Sequence, residues 1–269
     1  LIVHVAEKSA VEPLCVLSDT ARLLMERFWP GPLTLLLPKK PCIPPEVNAG
    51  LDSVALRMPS HPVATAFLAA CGVPVAAPSA NRSGKPSPTT AQHVLRDMDG
   101  IIPLILDGGS CDVGVESTVL SLTGDVPTIL RPGGVTPEML RAALPEVRVA
   151  DSVMRPLRPG EAAPSPGMRY KHYAPAGEVT LVSGAAERVI ARCSALYDEA
   201  IGAGVPARIL TVREHQPGYG SRATLSLGTL AEPESIAHSL FAALQQMDDE
   251  GVRRIYCEAV SQSGVGLAI

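Results

Sequence analysis

The fold of this chain is decided by residues 53–95, SVALRMPSHPVATAFLAACGVPVAAPSANRSGKPSPTTAQHVL. A short apolar run over 53–57 is followed by an apolar helical stripe over 62–70 and by a second strand-like run over 73–77. A polar loop then leads into SPTTAQHVL, which has the composition of a helix start, with Pro88 near its first turn. The succession of strand, helix and strand predicts an α/β fold.

The same alternation extends outward from this stretch over residues 1–150. Residues 17–28 carry a further helical stripe of apolar side chains. We therefore predict an α/β or α+β domain over residues 1–150. Its predicted strands cover residues 1–5, 33–38, 53–57, 73–77, 104–107, 118–122 and 128–131.

Residues 151–176, DSVMRPLRPGEAAPSPGMRYKHYAPA, interrupt this rhythm with prolines, glycines and basic residues, and they predict a linker. The part MRYKHYAP concentrates aromatic and basic side chains, so it is either a solvated connector or a segment that folds back onto a ligand. From residue 177 to 269, three strand-like runs alternate with two amphipathic helical runs. This pattern predicts a second, small domain with a parallel sheet and helices on its faces.

Composition excludes several classes of protein. The chain has 269 residues, 46% hydrophobic and 19% charged, which is typical of a globular protein with about two domains. A net charge of −4 argues against a surface that coats nucleic acid, so any anion site must be local. No apolar run reaches the roughly 18 residues of a membrane span and no secretory signal opens the chain, so we expect a cytosolic protein.

The cysteines and the two ends of the chain carry further expectations. The six cysteines include no CxxC pair, and we expect all of them to be buried, reduced thiols. The first residues, LIVHV, begin inside an apolar run without a turn, and the last, GVGLAI, stop inside a predicted helix start. We therefore expect both ends of a longer protein to be missing.

The loop PSANRSGKPSPTT, residues 78–90, is the first candidate site. It follows a predicted strand and supplies the hydroxyl groups of Ser79 and Ser87 and the amide of Asn81. Loops at strand ends of α/β domains bind ligands, and backbone N–H groups beside small hydroxyl residues can surround phosphate oxygens. An ordinary polar turn followed by a helix cap explains the same composition.

Four further residues occupy positions where a polar side chain needs an explanation. Ser117 stands directly before a predicted strand in GVESTVLSL, and Arg131 ends the strand TILR, where its guanidinium can hold a phosphate. Arg57 is the only charge at the end of an apolar strand, so it either reaches the surface or holds a carboxylate. His4, within LIVHV, poses the same choice, and a hydrogen-bonded core histidine is the simpler interpretation.

Motifs of several familiar mechanisms are missing from the sequence. There is no GxSxG elbow, no GK[ST] ending of a Walker loop, no HExxH and no EF-hand pattern.

Seven segments, taken in order, resemble the two-domain form of threonylcarbamoyl-AMP synthases. They are LIVHV, RFWPGPLTLLL, ALRMPSHP, PSANRSGKPSPTT, GVESTVLSL, ILRPGGVT and KHYAP, and the resemblance covers essentially the whole chain. It implies an α/β fold in which a YrdC-like twisted mixed-sheet domain is followed by a small Rossmann-like parallel α/β domain. Mapped onto this chain, the catalytic domain is 1–150, the linker or lid is 151–176 and the C-terminal domain is 177–269.

Members of this family condense L-threonine, bicarbonate or CO2, and ATP into threonylcarbamoyl-AMP and pyrophosphate, and other proteins then transfer the threonylcarbamoyl group to tRNA. The resemblance implies the same reaction here, with Mg²⁺ accompanying ATP and without a covalent enzyme intermediate. It assigns His4, Arg57, Ser117 and the backbone of Ala77 to the threonine pocket. It assigns Ser53, Ser79, Asn81, Ser87 and Arg131 to ATP, with Tyr173 or a neighbour in the KHYAP segment closing over the nucleotide.

The sequence departs from the family pattern at its start. Members carry a Lys-Gly-Arg-Pro stretch, whose cations grip the ATP phosphates, just before the equivalent of LIVHV, and this chain does not contain it. If the chain were complete, we would expect weak or absent activity and a sheet that lacks strands. Two other interpretations stay open: a YrdC-like module that binds RNA or nucleotide without chemistry, and a carbamoyl-adenylate enzyme.

Overall fold

The computed structural model describes residues 1–155 and 174–269. Their strands form two separate sheets, with helices packed against each. The strands are β1 (Ile2–His4), β2 (Leu33–Pro38), β3 (Ser53–Arg57), β4 (Val75–Ala77), β5 (Thr118–Ser121), β6 (Thr128–Arg131), β7 (Arg148–Val149), β8 (Glu178–Val182), β9 (Ala207–Thr211), β10 (Thr224–Ser226) and β11 (Arg254–Glu258). The α-helices are α1 (Asp19–Phe28), α2 (Pro45–Asn48), α3 (Pro62–Cys71), α4 (Ala91–Met98), α5 (Pro137–Arg141), α6 (Asp151–Met154), α7 (Ala186–Gly202) and α8 (Pro233–Asp249).

The first sheet contains β1 to β7 in the order β4-β1-β3-β2-β5-β6-β7. Antiparallel and parallel neighbours alternate across it, so the predicted mixed sheet is confirmed. Its centre is formed by β3 and β2, whose side chains are buried on both faces. Burial on both faces explains why these two strands read as nearly continuous apolar runs in the sequence.

Polar residues that precede the helices determine where the helices begin. The Ser18 hydroxyl accepts a hydrogen bond from the Ala21 amide (3.1 Å) at the start of α1. The Thr90 hydroxyl does the same for the His93 amide (3.3 Å) at the start of α4, which confirms the helix start predicted in SPTTAQHVL. Such caps satisfy N–H groups that have no partner inside the helix and contribute about 1 kcal/mol each.

We call residues 1–155 the first unit and residues 174–269 the second unit. The core of the first unit lies between its sheet and α1. Leu24 of α1, Leu35 of β2, Leu56 of β3 and Leu120 of β5 are all fully buried there. Burying each of these side chains contributes roughly 1.5–3 kcal/mol relative to leaving it exposed. This rigid centre fixes the ends of β1, β3, β2 and β5 relative to one another.

The second sheet contains β8 to β11 in the order β10-β9-β11-β8, and all neighbours are parallel. Successive residues of its strands face opposite helices. Ile209 and Tyr256 pack in the cluster that contains α7, whereas Leu210 and Ile255 pack in the cluster that contains α8. The small parallel sheet predicted for residues 177–269 is therefore confirmed.

Two of the predicted strands differ from the structure. The strand predicted over residues 104–107 is wrong, because this segment joins no ladder and Leu104 is 70% exposed. The Asp107 carboxylate accepts a hydrogen bond from the Gly109 amide (2.8 Å), a local turn that ends the apolar run. The strand predicted over 73–77 begins only at Val75, since Pro74 has no N–H to donate to a ladder.

The expectation that all six cysteines are buried is also wrong. All are free thiols, but only Cys15, Cys193 and Cys257 are buried, whereas Cys42, Cys71 and Cys111 are exposed. Burial raises the pKa of Cys257 to about 12 and that of Cys15 to about 11, so these two thiols stay protonated at neutral pH. Among the helices of the described residues, none is long and apolar enough to span a bilayer.

Candidate functional site

Polar side chains from five neighbouring strands meet at one end of the first sheet. The parallel register of β1 and β3 places His4 beside Arg57. The hydroxyls of Thr34 and Ser117, where β2 and β5 begin, are 2.7 Å apart. On β6, Arg131 donates to the Ser117 carbonyl (2.9 Å) and hydroxyl (3.1 Å). The structure thus brings together four of the predicted site residues, His4, Arg57, Ser117 and Arg131. With Thr34, they form what we call the strand-end cluster.

Arg57 carries a positive charge that is not balanced within the described part of the chain. Its Nε donates to the Gly31 carbonyl (3.0 Å), and no Asp or Glu of residues 1–155 or 174–269 forms an ion pair with it. Burial, and then the charge of Arg131, lower the pKa of Arg57 below its ordinary value. A half-buried guanidinium in this setting is stabilised by an anion, and a carboxylate matches its fork of donors.

His4 is held in its neutral form by the same surroundings. Burial, followed by the charge of Arg57, lowers the pKa of His4 to about 4, so the imidazole is uncharged at neutral pH. A neutral imidazole has one donor and one acceptor nitrogen. The cluster therefore offers hydrogen bonds from His4 and charge from its arginines.

The turn after β6 explains how Ser117 and Arg131 are held together. A Cβ atom on Gly133 would lie 2.3 Å from the Glu116 carbonyl oxygen and 2.4 Å from the Thr118 nitrogen. The RPGG turn therefore packs directly on the backbone of GVEST, and only glycine permits this approach. As a result, the side chain of Arg131 lies over Ser117.

A cavity of about 580 Å³ opens beside Arg57. Ser79 and Ser87, two of the residues predicted to contact ATP, line it together with Glu116. The Ser87 hydroxyl donates to the Glu116 carboxylate (2.7 Å). Much of the remaining wall is apolar and includes Phe67, and the volume lies in the range of small-molecule sites.

The loop of residues 78–90 is anchored to α4. Asp97, which is almost fully buried, accepts hydrogen bonds from Lys85 Nζ (2.9 Å) and from the Arg82 amide (3.2 Å). Although burial opposes its charge, these bonds hold the pKa of Asp97 below its ordinary value. Asn81 donates to the Lys85 carbonyl (3.0 Å), and its buried Oδ1 meets no donor among the described residues. Lys85 therefore orders the loop by pairing with Asp97.

Two of the predicted site residues lie elsewhere, and a third falls outside the described residues. Ser53 stands at the opposite end of β3 from Arg57, about 13 Å away at 3.3 Å per residue, and its carbonyl accepts from the Asn48 amide (3.0 Å). Ala77 pairs with Ile2 on the strand that carries His4. Tyr173 and most of the predicted lid lie outside the described residues. The roles assigned to these residues remain predictions.

Sequence reasoning missed two residues of this region. Thr34 bonds to Ser117 and is fully buried, and its signal was a polar residue inside the leucine run PLTLLL. Phe241, on α8 of the second unit, lines the cavity. It has no local signal, because its position follows only from how the two units pack.

A metal ion would have few protein ligands here. The described residues contain no group of three or more His, Cys, Asp or Glu side chains that could hold one. Mg²⁺ bound with a nucleotide needs only one or two carboxylates, because phosphates and water supply its other oxygens. The Glu116 carboxylate and the Ser87 hydroxyl in the cavity wall fit that limited role.

The chain matches known proteins along its whole length. Residues 1–133 match the family described as Telomere recombination, and residues 135–269 match that described as Threonylcarbamoyl-AMP synthase, C-terminal domain. The threonylcarbamoyl-AMP synthase of Bacillus subtilis is 44% identical and that of Pyrococcus abyssi 41%, each over all of this chain and 76% and 77% of theirs. A crystal structure of P. abyssi Sua5 complexed with L-threonine has a TM-score of 0.90 at 39% identity, over 100% of this chain and 77% of that one. With both of its units matched, the chain belongs to the threonylcarbamoyl-AMP synthase family.

Proposed function

We propose that this protein joins L-threonine, bicarbonate or CO2, and ATP into threonylcarbamoyl-AMP, with release of pyrophosphate. The observation that carries the proposal is the strand-end cluster, in which the charge of Arg57 has no carboxylate partner in the described residues and faces the cavity. An amino acid's carboxylate supplies the missing charge. Family membership and the L-threonine complex of the P. abyssi relative support the identity of that amino acid.

Three side chains of the cluster hold threonine in this proposal. The Arg57 guanidinium pairs with the carboxylate, while neutral His4 and the Ser117 hydroxyl bond to the remaining polar groups of the amino acid. Arg131 already donates to Ser117, which supports a role for its guanidinium in stabilising the charge of the carbamate and the α-phosphate. Ser79, Ser87 and Asn81, on the loop at the other side of the cavity, bind the nucleotide.

The reaction then needs no covalent bond to the enzyme. The amine of threonine attacks CO2 and loses a proton to give a carbamate. A carbamate oxygen attacks the α-phosphorus of ATP, the bond from that phosphorus to the bridging oxygen breaks, and pyrophosphate leaves. Positioning and cationic stabilisation of the phosphate charge supply the catalysis. Mg²⁺ bound with ATP would be held by the nucleotide phosphates and the Glu116 carboxylate, and it would supply charge that neutralises part of the phosphate charge.

Further partners follow from the product. Threonylcarbamoyl-AMP is a mixed anhydride that decomposes in water, so a tRNA-modifying transferase must take it over after release. The resemblance assigns the closing role to the segment KHYAP, of which residues 171–173 lie outside the described residues. On that assignment, deleting residues 169–175 should abolish synthesis.

The test is product formation with a choice of amino acid. Purified protein is incubated with Mg-ATP, bicarbonate and either L-threonine or L-serine, and the products are identified by mass spectrometry while pyrophosphate is measured in parallel. We expect threonylcarbamoyl-AMP with threonine and much less product with serine. Pyrophosphate release that does not depend on an amino acid would refute the proposal. RNA binding without threonine binding would favour a binding module.

A further inference from the structure

Helix α8 of the second unit packs against both loops that border the cavity. Gln245, only 4% exposed, donates from Nε2 to the carbonyl of Pro86 (2.9 Å), the residue before Ser87. On the previous turns of α8, His238 bonds to the carbonyl of Asp112 (2.9 Å) and Phe241 reaches the cavity wall. Among the described residues, these contacts between the second unit and the borders of the cavity all come from α8.

The hydrogen bonds of Gln245 fix its orientation. Arg96 of α4 is a donor and bonds to the Gln245 side-chain oxygen, so the amide nitrogen must face the Pro86 carbonyl. Both atoms of a buried amide are thus satisfied by the first unit. A buried residue with this arrangement specifies one position for the 84–90 loop, since any displacement leaves a polar group without a partner.

The second loop is fixed by a close approach of backbones. Gly114 has a φ of 76°, and a Cβ atom there would lie 2.3 Å from the Cα of His238 and 2.4 Å from the carbonyl oxygen of Ala237. No other residue fits between this loop and α8. Glu116 follows two positions later in the chain, so its backbone is placed by the same contact.

These two contacts converge on one pair of side chains. Gln245 holds the residue next to Ser87, the α8 contact at Gly114 holds the segment that carries Glu116, and Ser87 donates to Glu116 across the cavity wall. We propose that Gln245 is a positioning residue through which the C-terminal unit sets the affinity for ATP. The proposal rests on the function proposed above. Threonine binds at the strand-end cluster, so its affinity for the ATP-saturated protein does not depend on Gln245.

A conservative substitution separates positioning from simple docking of the two units. Gln245→Glu keeps the shape and gains an ion pair with Arg96, but it removes the donor to Pro86 and places a carboxylate oxygen against that carbonyl. If Gln245 only docks the two units, this variant keeps its function. If Gln245 positions the loop, this variant loses that function. Gln245→Met removes both bonds. Gln246→Leu, on the exposed face of α8 where Gln246 donates to Glu250, is the matched control.

The experiment measures the KM for ATP, the KM for L-threonine and kcat, together with hydrogen exchange at the amides of residues 84–90. We expect Gln245→Glu to raise the KM for ATP about tenfold, as the loss of one buried hydrogen bond does, and to speed exchange in this loop. At saturating ATP, the KM of Gln245→Glu for threonine should stay within about twofold of that of the unchanged protein. Gln246→Leu should keep both KM values and the exchange rates within about twofold of those of the unchanged protein.

The outcomes separate this proposal from the proposed function. If Gln245→Glu has the ATP KM and the exchange rates of the unchanged protein, the positioning role is refuted while the synthase reaction stands. If the unchanged protein makes no threonylcarbamoyl-AMP, calorimetric titration with Mg-ATP replaces the KM, and equal ATP affinity and exchange in both proteins refute the positioning role independently.

Discussion

Each of the two units contains a cluster of polar side chains at strand ends, and the two clusters differ in how their charge is balanced. In the first, Arg57 has no carboxylate partner among the described residues and faces a cavity. In the second, the buried carboxylate of Glu258 at the end of β11 accepts hydrogen bonds from Thr211 (2.7 Å) and Tyr219 and pairs with His215 (2.8 Å). A charge that is satisfied within the chain stabilises the structure, whereas a charge without a partner in the described residues favours the binding of a ligand.

The carboxylate of Glu258 is satisfied by neighbouring side chains without a ligand. Burial, and then the hydrogen bond to Glu258, raise the pKa of Tyr219, so its phenol remains a donor at any physiological pH. Both carboxylate oxygens have partners on the second unit itself. This arrangement tethers β9, the segment after it and β11 to one another at the end of a parallel sheet.

Breaking the satisfied cluster should produce the largest effect on stability. Glu258→Ala leaves the donors of Thr211 and Tyr219 buried without an acceptor, so we expect the free energy of unfolding to fall by about 3 kcal/mol. Chemical denaturation measures this change. Glu178→Ala, which removes an exposed carboxylate paired with Arg254 on the neighbouring strand, should cost less than about 1 kcal/mol. Equal losses in the two variants would contradict the structural role of Glu258.

The unsatisfied cluster should respond in the opposite way. Arg57→Met removes the charge that pairs with the substrate carboxylate, so we expect L-threonine affinity to fall about a hundredfold. The free energy of unfolding should stay unchanged or rise, since an apolar side chain avoids the cost of a half-buried cation. Titration calorimetry and denaturation test both halves, with Arg22→Met, at an exposed ion pair on α1, as the control. A strongly destabilised variant that still binds threonine would show that the charge of Arg57 stabilises the fold and does not bind the substrate.

The smallest expected effect is a pH dependence that arises from His4. Because its pKa is about 4 in the folded protein and ordinarily 6.5, the unfolded chain binds a proton between these values that the folded protein does not. Stability from this group is therefore complete above pH 6.5 and falls as the pH drops toward 4, by about 2 kcal/mol between pH 7 and 5. Denaturation at both pH values should show this loss in the unchanged protein and a smaller one in His4→Gln. The same loss of stability in both proteins would show that a group other than His4 titrates in this pH range.

Local patterns in the sequence predicted the elements, and long-range packing decided the rest. Caps and buried strands depend on neighbouring residues. The sequence therefore predicted the helix start at Thr90 and the strands β2 and β3. Residues 104–107 had the composition of a strand but no partner strand, which only the three-dimensional arrangement reveals.

The candidate site shows the same division. Arg57 and Ser117 were predictable because a charge or a hydroxyl at the end of an apolar strand requires a local explanation. Gln245 was not, since its partner Pro86 lies 159 residues away and an isolated glutamine on a helix has no special pattern. The Glu258 cluster was missed for a related reason, because its partners are scattered over residues 211–219 and each looks ordinary alone.

The hydrogen bonds between Arg131 and Ser117 have a thermodynamic consequence. They join a residue predicted to hold threonine to one predicted to hold ATP, so the two pockets share one hydrogen-bond network. Linkage requires that any factor by which one substrate alters the affinity of the other be equal in both directions. Cooperativity between the amino acid and the nucleotide is thus built into the contact of two side chains, and reciprocal titrations must return the same coupling constant.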